Sequence, residues 1–167
     1  MIKTFNSLIV TMFGLGKIKF MPGTLGSLAT TIFLFYLFHT LNISSNIILI
    51  GWIVIFIYSF YAVSTHINNS KNKDPGEIII DEFLGQSIPI YLYEISHSTA
   101  KESDQAIIYY LLFFILFRYF DIMKPFPVSL FDKNFKNSFG VIMDDICAGL
   151  YVVLTLVCFM IIKSYVL

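Results

Sequence analysis

The sequence predicts an all-α protein, a multi-pass bundle of membrane helices with a glycine-rich loop ahead of the first. Three observations point there. Of 167 residues, 57% are hydrophobic and only 13% charged, against about 25% charged in soluble domains. The apolar residues gather into five runs, most of them close to the roughly 17 to 25 residues a helix needs to cross a bilayer. The charges fall at the ends of those runs and between them. No linker, repeat or low-complexity segment divides the chain, so residues 1–167 read as a single domain. The 11 basic and 11 acidic residues balance, which argues against a nucleic-acid partner, since that would need a basic excess or stripe.

In chain order, GLGKIKFMPGTLGSLAT spans residues 14–30. Its glycines, hydroxyls and Pro22 suit a backbone nest and a helix N-terminus that could contact an anion. Thr24 is expected to cap a helix whose opening turns are Leu25 to Ala29. The spacing is not that of a Walker loop. The first apolar run is 25–41 and the second 46–65. The third, 78–93, is short and carries Asp81, Glu82 and Pro89, so it is expected to be kinked or partly re-entrant. The fourth, 106–123, ends before Pro125 and Pro127, which stop a helix. The fifth, 141–162, holds Cys147 and Cys158. Eleven helical steps separate these two by about 16 Å, too far for a disulfide, so they read as packing residues. The N-terminal stretch shows no small-residue cleavage site of a signal peptide.

Five crossings place Lys3, Lys17, Lys19, Lys71, Lys73, Arg118, Lys124, Lys133 and Lys136 on one side of the membrane, and Lys101 and Lys163 on the other. The positive-inside rule makes the first side cytoplasmic. The same side collects Asp74, Glu77, Asp81, Glu82, Asp121, Asp132, Asp144 and Asp145, leaving Glu94, Glu102 and Asp104 outside. The carboxylates therefore converge on one membrane face.

Two acidic doublets stand out, in IIIDEFLGQ and GVIMDDICAGL. An Asp at the centre of a membrane helix costs about 2.5 to 3.5 kcal/mol on insertion scales. Complementing a helix dipole returns only about 0.3 to 1 kcal/mol, too little for two doublets. Asp81, Glu82, Asp144 and Asp145 at one depth would repel one another unless a divalent cation sat among them. Oxygen donors without a Cys or His cluster suit Mg²⁺, or Mn²⁺, rather than zinc. In FRYFDIMKPFP, Arg118, Asp121 and Lys124 succeed one another at i,i+3 spacing. They form either an interfacial charge ladder or a phosphate grip, with Arg118 as a planar fork and Lys124 as a point charge.

The ordered set GKIKFMPGTLGSLAT, DPGEIIIDEFLGQ, FRYFDIMKPFP and GVIMDDICAG resembles the phosphatidylglycerophosphatase A family over nearly the whole chain. The resemblance implies a magnesium-dependent bacterial inner-membrane phosphatase that removes the terminal phosphate of phosphatidylglycerophosphate. It implies catalytic roles for Asp81, Glu82, Arg118, Asp121, Lys124, Asp144 and Asp145, with metal at the two doublets. Substrate contacts are expected from Lys17, Gly23, Thr24, Gly26, Ser27, Arg118 and Lys124, to a phospholipid whose acyl chains stay in the bilayer. Either a carboxylate acts as general base on water, or an aspartate attacks phosphorus. The water route is preferred because no D-x-D-x-T or D-K-T-G signature occurs. The rival class is a small ion- or proton-coupled transporter, since intramembrane carboxylates are functional by default. It predicts acids spread through the bilayer midplane, rather than at one face.

Overall fold

The computed structural model describes residues 2–69, 76–96 and 103–166. Lys71, Lys73, Asp74, Lys101 and Glu102, which entered the charge count, lie outside the described residues. Among the described residues there are helices and no strand: α1 (Ile2–Val10), α2 (Pro22–Phe35), α3 (Ser45–Asn69), α4 (Ile80–Ser96), α5 (Ser103–Met123), α6 (Val128–Asn134) and α7 (Ser138–Val166). Each of the five apolar runs becomes a helix, the first one extended past α2 by a π-helical turn at Tyr36–Thr40. Three have the length and apolar composition of a full membrane span: Ser45–Asn68, Gln105–Met123 and Ser138–Ile162. The other two, α2 and α4, have 14 and 17 residues.

The short helix α4 lies at the centre. Ile80, Asp81, Leu84, Gln86 and Ile90 are among its many buried residues, whereas α3 and the far half of α7 expose Ile47, Ile50, Ile57, Leu154 and Phe159. A helix walled in by protein needs no continuous lipid-facing surface, which is why α4 can carry Asp, Glu and Gln. Its closest neighbour is α7. A Cβ on Gly85 would run into the backbone of Asp145, and one on Gly149 into the backbone of Gly85. Small residues let two membrane helices approach backbone to backbone. On another side, Gly26 of α2 rests against Ile79. Trp52 of α3, stacked on Phe56 at 5.1 Å, donates to the Leu84 carbonyl at 3.3 Å.

The local expectations at the first helix are corrected. The first apolar helix starts at Pro22, not Leu25, because proline is preorganised for the first helical position. Met21, left-handed at φ 45, precedes it with no side-chain cap. Thr24 is therefore inside the first turns rather than the cap, and much of the glycine-rich stretch is helix rather than loop. The third run is a short helix, as expected, continuous over Ile80–Ser96 with Pro89 inside it. Helices α1 and α6 were not foreseen. The first packs on α3, where the Tyr58 hydroxyl donates to Asn6 Oδ1 at 2.5 Å. Its last residue also accepts a bond from Ile79 N at 3.0 Å, which tethers the approach to α4.

Candidate active site

The starts of α2, α4 and α7 and the end of α5 meet at one end of the bundle, with α6 beside them. They enclose a cavity of about 330 Å³ lined by Gly23, Thr24, Asp81, Glu82, Arg118 and Asp121, and by Lys124, Asp132, Lys136, Asp144 and Asp145. All seven residues expected to be catalytic line this single space. The other end of the bundle holds a separate polar contact: His39 Nε2 lies 3.2 Å from Glu94 Oε1, which also accepts from Tyr110 at 3.1 Å.

The tight α4–α7 crossing decides how the doublets are used. Adjacent helical residues project about 100° apart, so whether both carboxylates of a doublet reach one point depends on side-chain length and on how the helix is turned. Oxygens of Asp81, Glu82 and Asp145 all lie within 4.8 Å of one another. Asp144 turns away instead, its Oδ2 accepting from Lys124 Nζ at 2.9 Å and its Oδ1 from the Asp145 amide at 3.0 Å. Glu82 Oε2 is enclosed without a hydrogen-bond partner. Three clustered carboxylates, Asp81 and Asp145 buried and Glu82 partly so, with an uncommitted oxygen suit a hard divalent cation, and without one they would repel each other.

The cationic wall is built from α5. Arg118 Nη1 bonds Asp121 Oδ2 at 2.6 Å and Ser27 Oγ at 3.4 Å. Lys124 follows the helix in a left-handed conformation at φ 44, which turns the chain toward α6. Its ammonium meets Asp132 Oδ1 at 2.6 Å as well as Asp144. Burial works against the Lys124 charge, but the hydrogen bonds to Asp132 and Asp144 outweigh it and hold the pKa above the ordinary lysine value. Lys124 is therefore a permanent cation here.

Among the expected substrate contacts, Gly23 and Thr24 line the cavity. A side chain at Gly23 would collide with the Glu82 carboxylate and the Arg118 guanidinium, so glycine is what lets α2 close over them. Ser27 stands behind, bonded to Arg118. Gly26 faces Ile79 rather than the cavity. Lys17 is exposed on the 3₁₀ turn Leu15–Lys17 and does not line the cavity. Two site residues escaped the sequence reading, Asp132, which clamps Lys124, and Lys136, whose Nζ donates to the Asp132 carbonyl at 3.0 Å. Their i,i+4 spacing just after two prolines was the available signal.

A sequence model for a family described as Phosphatidylglycerophosphatase A matches residues 8–160, most of the chain and every cavity residue. The chain belongs to the phosphatidylglycerophosphatase A family. Membership assigns it to the phosphoric monoester hydrolases of membrane phospholipid metabolism. It is 36% identical to Phosphatidylglycerophosphatase A of Haemophilus influenzae over 147 residues, covering 88% of this chain and 83% of the relative. The Escherichia coli K12 phosphatidylglycerophosphatase A is 29% identical over 143 residues, 85% of this chain and 76% of the relative. A provisionally named phosphatidylinositol-3-phosphatase of Bacteroides thetaiotaomicron is 32% identical over 145 residues, 86% of each chain. No solved structure gives a significant match.

Proposed function

We propose that this phosphatidylglycerophosphatase A family member hydrolyses phosphatidylglycerophosphate to phosphatidylglycerol and phosphate, at the cytoplasmic face of a bacterial inner membrane. The reading is carried by one observation: the oxygens of Asp81, Glu82 and Asp145 converge within 4.8 Å in a cavity also walled by Arg118 and Lys124. A carboxylate cluster beside fixed cations is what a phosphate monoester, almost dianionic near neutral pH, requires. Asp81, Glu82 and Asp145 would hold Mg²⁺, or Mn²⁺ in its place. Bound there, the cation supplies positive charge to the phosphoryl oxygens.

The chain's own groups do the rest. Arg118, braced by Asp121 and Ser27, directs its guanidinium at the phosphate, and Lys124, pinned by Asp132 and Asp144, supplies a second fixed charge. Preorganised charge of this kind is the main source of phosphoryl-transfer catalysis. Asp121 is ion-paired with Arg118 and stays ionised, so the departing glycerol oxygen takes up the proton that a site carboxylate removes from the attacking water. A carboxylate of the site deprotonates the attacking water. The cavity opens at the helix ends, where a headgroup lies, so the acyl chains stay among lipids while the phosphate enters.

The test is phosphate release from phosphatidylglycerophosphate by the purified protein in detergent, with Mg²⁺ or with excess chelator. Release that chelation abolishes and added Mg²⁺ or Mn²⁺ restores is the expected result. No release in any condition from folded protein would sink the proposal and turn attention to ion flux, the transporter reading.

A further inference from the structure

Five buried side-chain polar atoms lack a hydrogen-bond partner among the described residues: Glu82 Oε2, Gln86 Oε1, Gln86 Nε2, Arg118 Nε and Asn6 Nδ2. Four of them belong to Glu82, Gln86 and Arg118. Gln86 is fully buried, at 0% exposure. Enclosing an amide with neither end satisfied is costly, and packing alone would be better served there by Met or Leu.

Glu82 links the other two. Glu82 and Gln86 stand at i,i+4 on α4, with Cβ atoms about 5 to 6 Å apart on one helix face. Glu82 and Arg118 both approach the point that a Cβ of Gly23 would occupy. Arg118 also bonds Ser27, one turn past Gly23 on α2, as Gln86 is one turn past Glu82 on α4. Both helices begin at the cavity, so Ser27 and Gln86 each lie one turn in from it. The chemistry of the unsatisfied groups is complementary: the carboxylate oxygen only accepts, the guanidinium N–H only donates, and the amide does both.

We propose that Gln86 is a positioning residue of the site, holding Glu82 Oε2 and the Arg118 Nε–H through one enclosed water and so orienting the two groups that face the phosphate. The water donates to Glu82 Oε2 and Gln86 Oε1 and accepts from Arg118 Nε–H. That gives about three hydrogen bonds, the usual number for a buried water. Gln86 itself touches neither substrate nor reacting atoms. The proposal rests on the phosphatase reading above.

The decisive variant is Gln86→Met, which keeps the length of the side chain and removes both polar atoms. A packing role predicts unchanged kinetics and equal or higher unfolding temperature, because an unsatisfied amide has gone. A positioning role predicts kcat lower by at least about tenfold with KM held within about twofold. It also predicts a Mn²⁺ dissociation constant raised at least about fivefold, measured by calorimetry on metal-free protein, because Glu82 is no longer oriented. If Gln86→Met does not fold, Gln86→Asn withdraws the amide by one methylene and is expected to shift kcat and Mn²⁺ affinity the same way. Wild-type kcat and Mn²⁺ affinity in a folded variant would overturn the role of Gln86 alone. A wild-type protein that releases no phosphate would remove the phosphatase reading and this inference together.

Discussion

Gly149 packs on the backbone of Gly85 where α4 crosses α7, and neither glycine has room for a Cβ against the opposing backbone. This contact sets the distance between the helices that carry the two acidic doublets. Gly149→Ala is expected to destabilise the protein by about 1 to 3 kcal/mol, the usual cost of overpacking, and to lower activity by separating Asp145 from Asp81 and Glu82. Thermal unfolding in detergent, measured beside phosphate release, checks both effects. Unchanged values in both would mean the crossing is looser than described.

The doublet on α7 is divided in labour, so its two members should fail differently. Asp145→Asn removes a member of the three-carboxylate cluster. It is expected to raise the Mg²⁺ concentration for half-maximal activity and to lower kcat at least about tenfold, or 1.36 kcal/mol of barrier. Asp144→Asn instead weakens the hold on Lys124 and should lower kcat/KM with little change in Mg²⁺ dependence. Magnesium titrations of the two variants decide, and identical titrations would argue against the division.

Lys124 gives a pH prediction with a definite sign. Its pKa is raised on folding above an ordinary value of 10.5. The stability it adds is therefore fully present below about pH 10.5 and lost as pH climbs through the raised folded value. The difference in unfolding temperature between the wild type and Lys124→Gln should stay constant from about pH 8 to 9.5, above the range in which the partner carboxylates take up protons. A difference that shrinks across that window would place the ammonium in a weaker setting.

Gly23→Ala pushes a methyl group at the Glu82 carboxylate and the Arg118 guanidinium. Because those are side-chain ends at the cavity wall, the fold should survive and turnover should not. The expected result is a loss of at least about tenfold in kcat/KM with an unfolding temperature near that of the wild type. Retained turnover would show that both groups can yield without cost.

Helix content and the seven charged residues expected to be catalytic were legible in the sequence because both rest on local patterns. Five apolar runs gave five helices, and Asp81, Glu82, Arg118, Asp121, Lys124, Asp144 and Asp145 all reached one space. What each residue touches was not legible. The split of Asp144 from Asp145 depends on the rotation of α7 against α4, which the glycine contact fixes and no linear spacing encodes. Thr24 was misplaced because Pro22 starts the helix earlier than the apolar run does. The seven residues of α6 are too few for periodicity to register, so the Asp132 clamp was hidden. Lys17 looked suitable by charge alone, yet its 3₁₀ turn leaves it away from the cavity.

Trp52 is the chain's only tryptophan, and it is hydrogen-bonded to Leu84, two residues along from Glu82. Emission excited at the red edge, where tyrosine does not absorb, therefore comes from a fluorophore already wired to the acidic helix. Any shift of that helix during turnover would be readable as a change in emission, with no dye attached and no residue replaced.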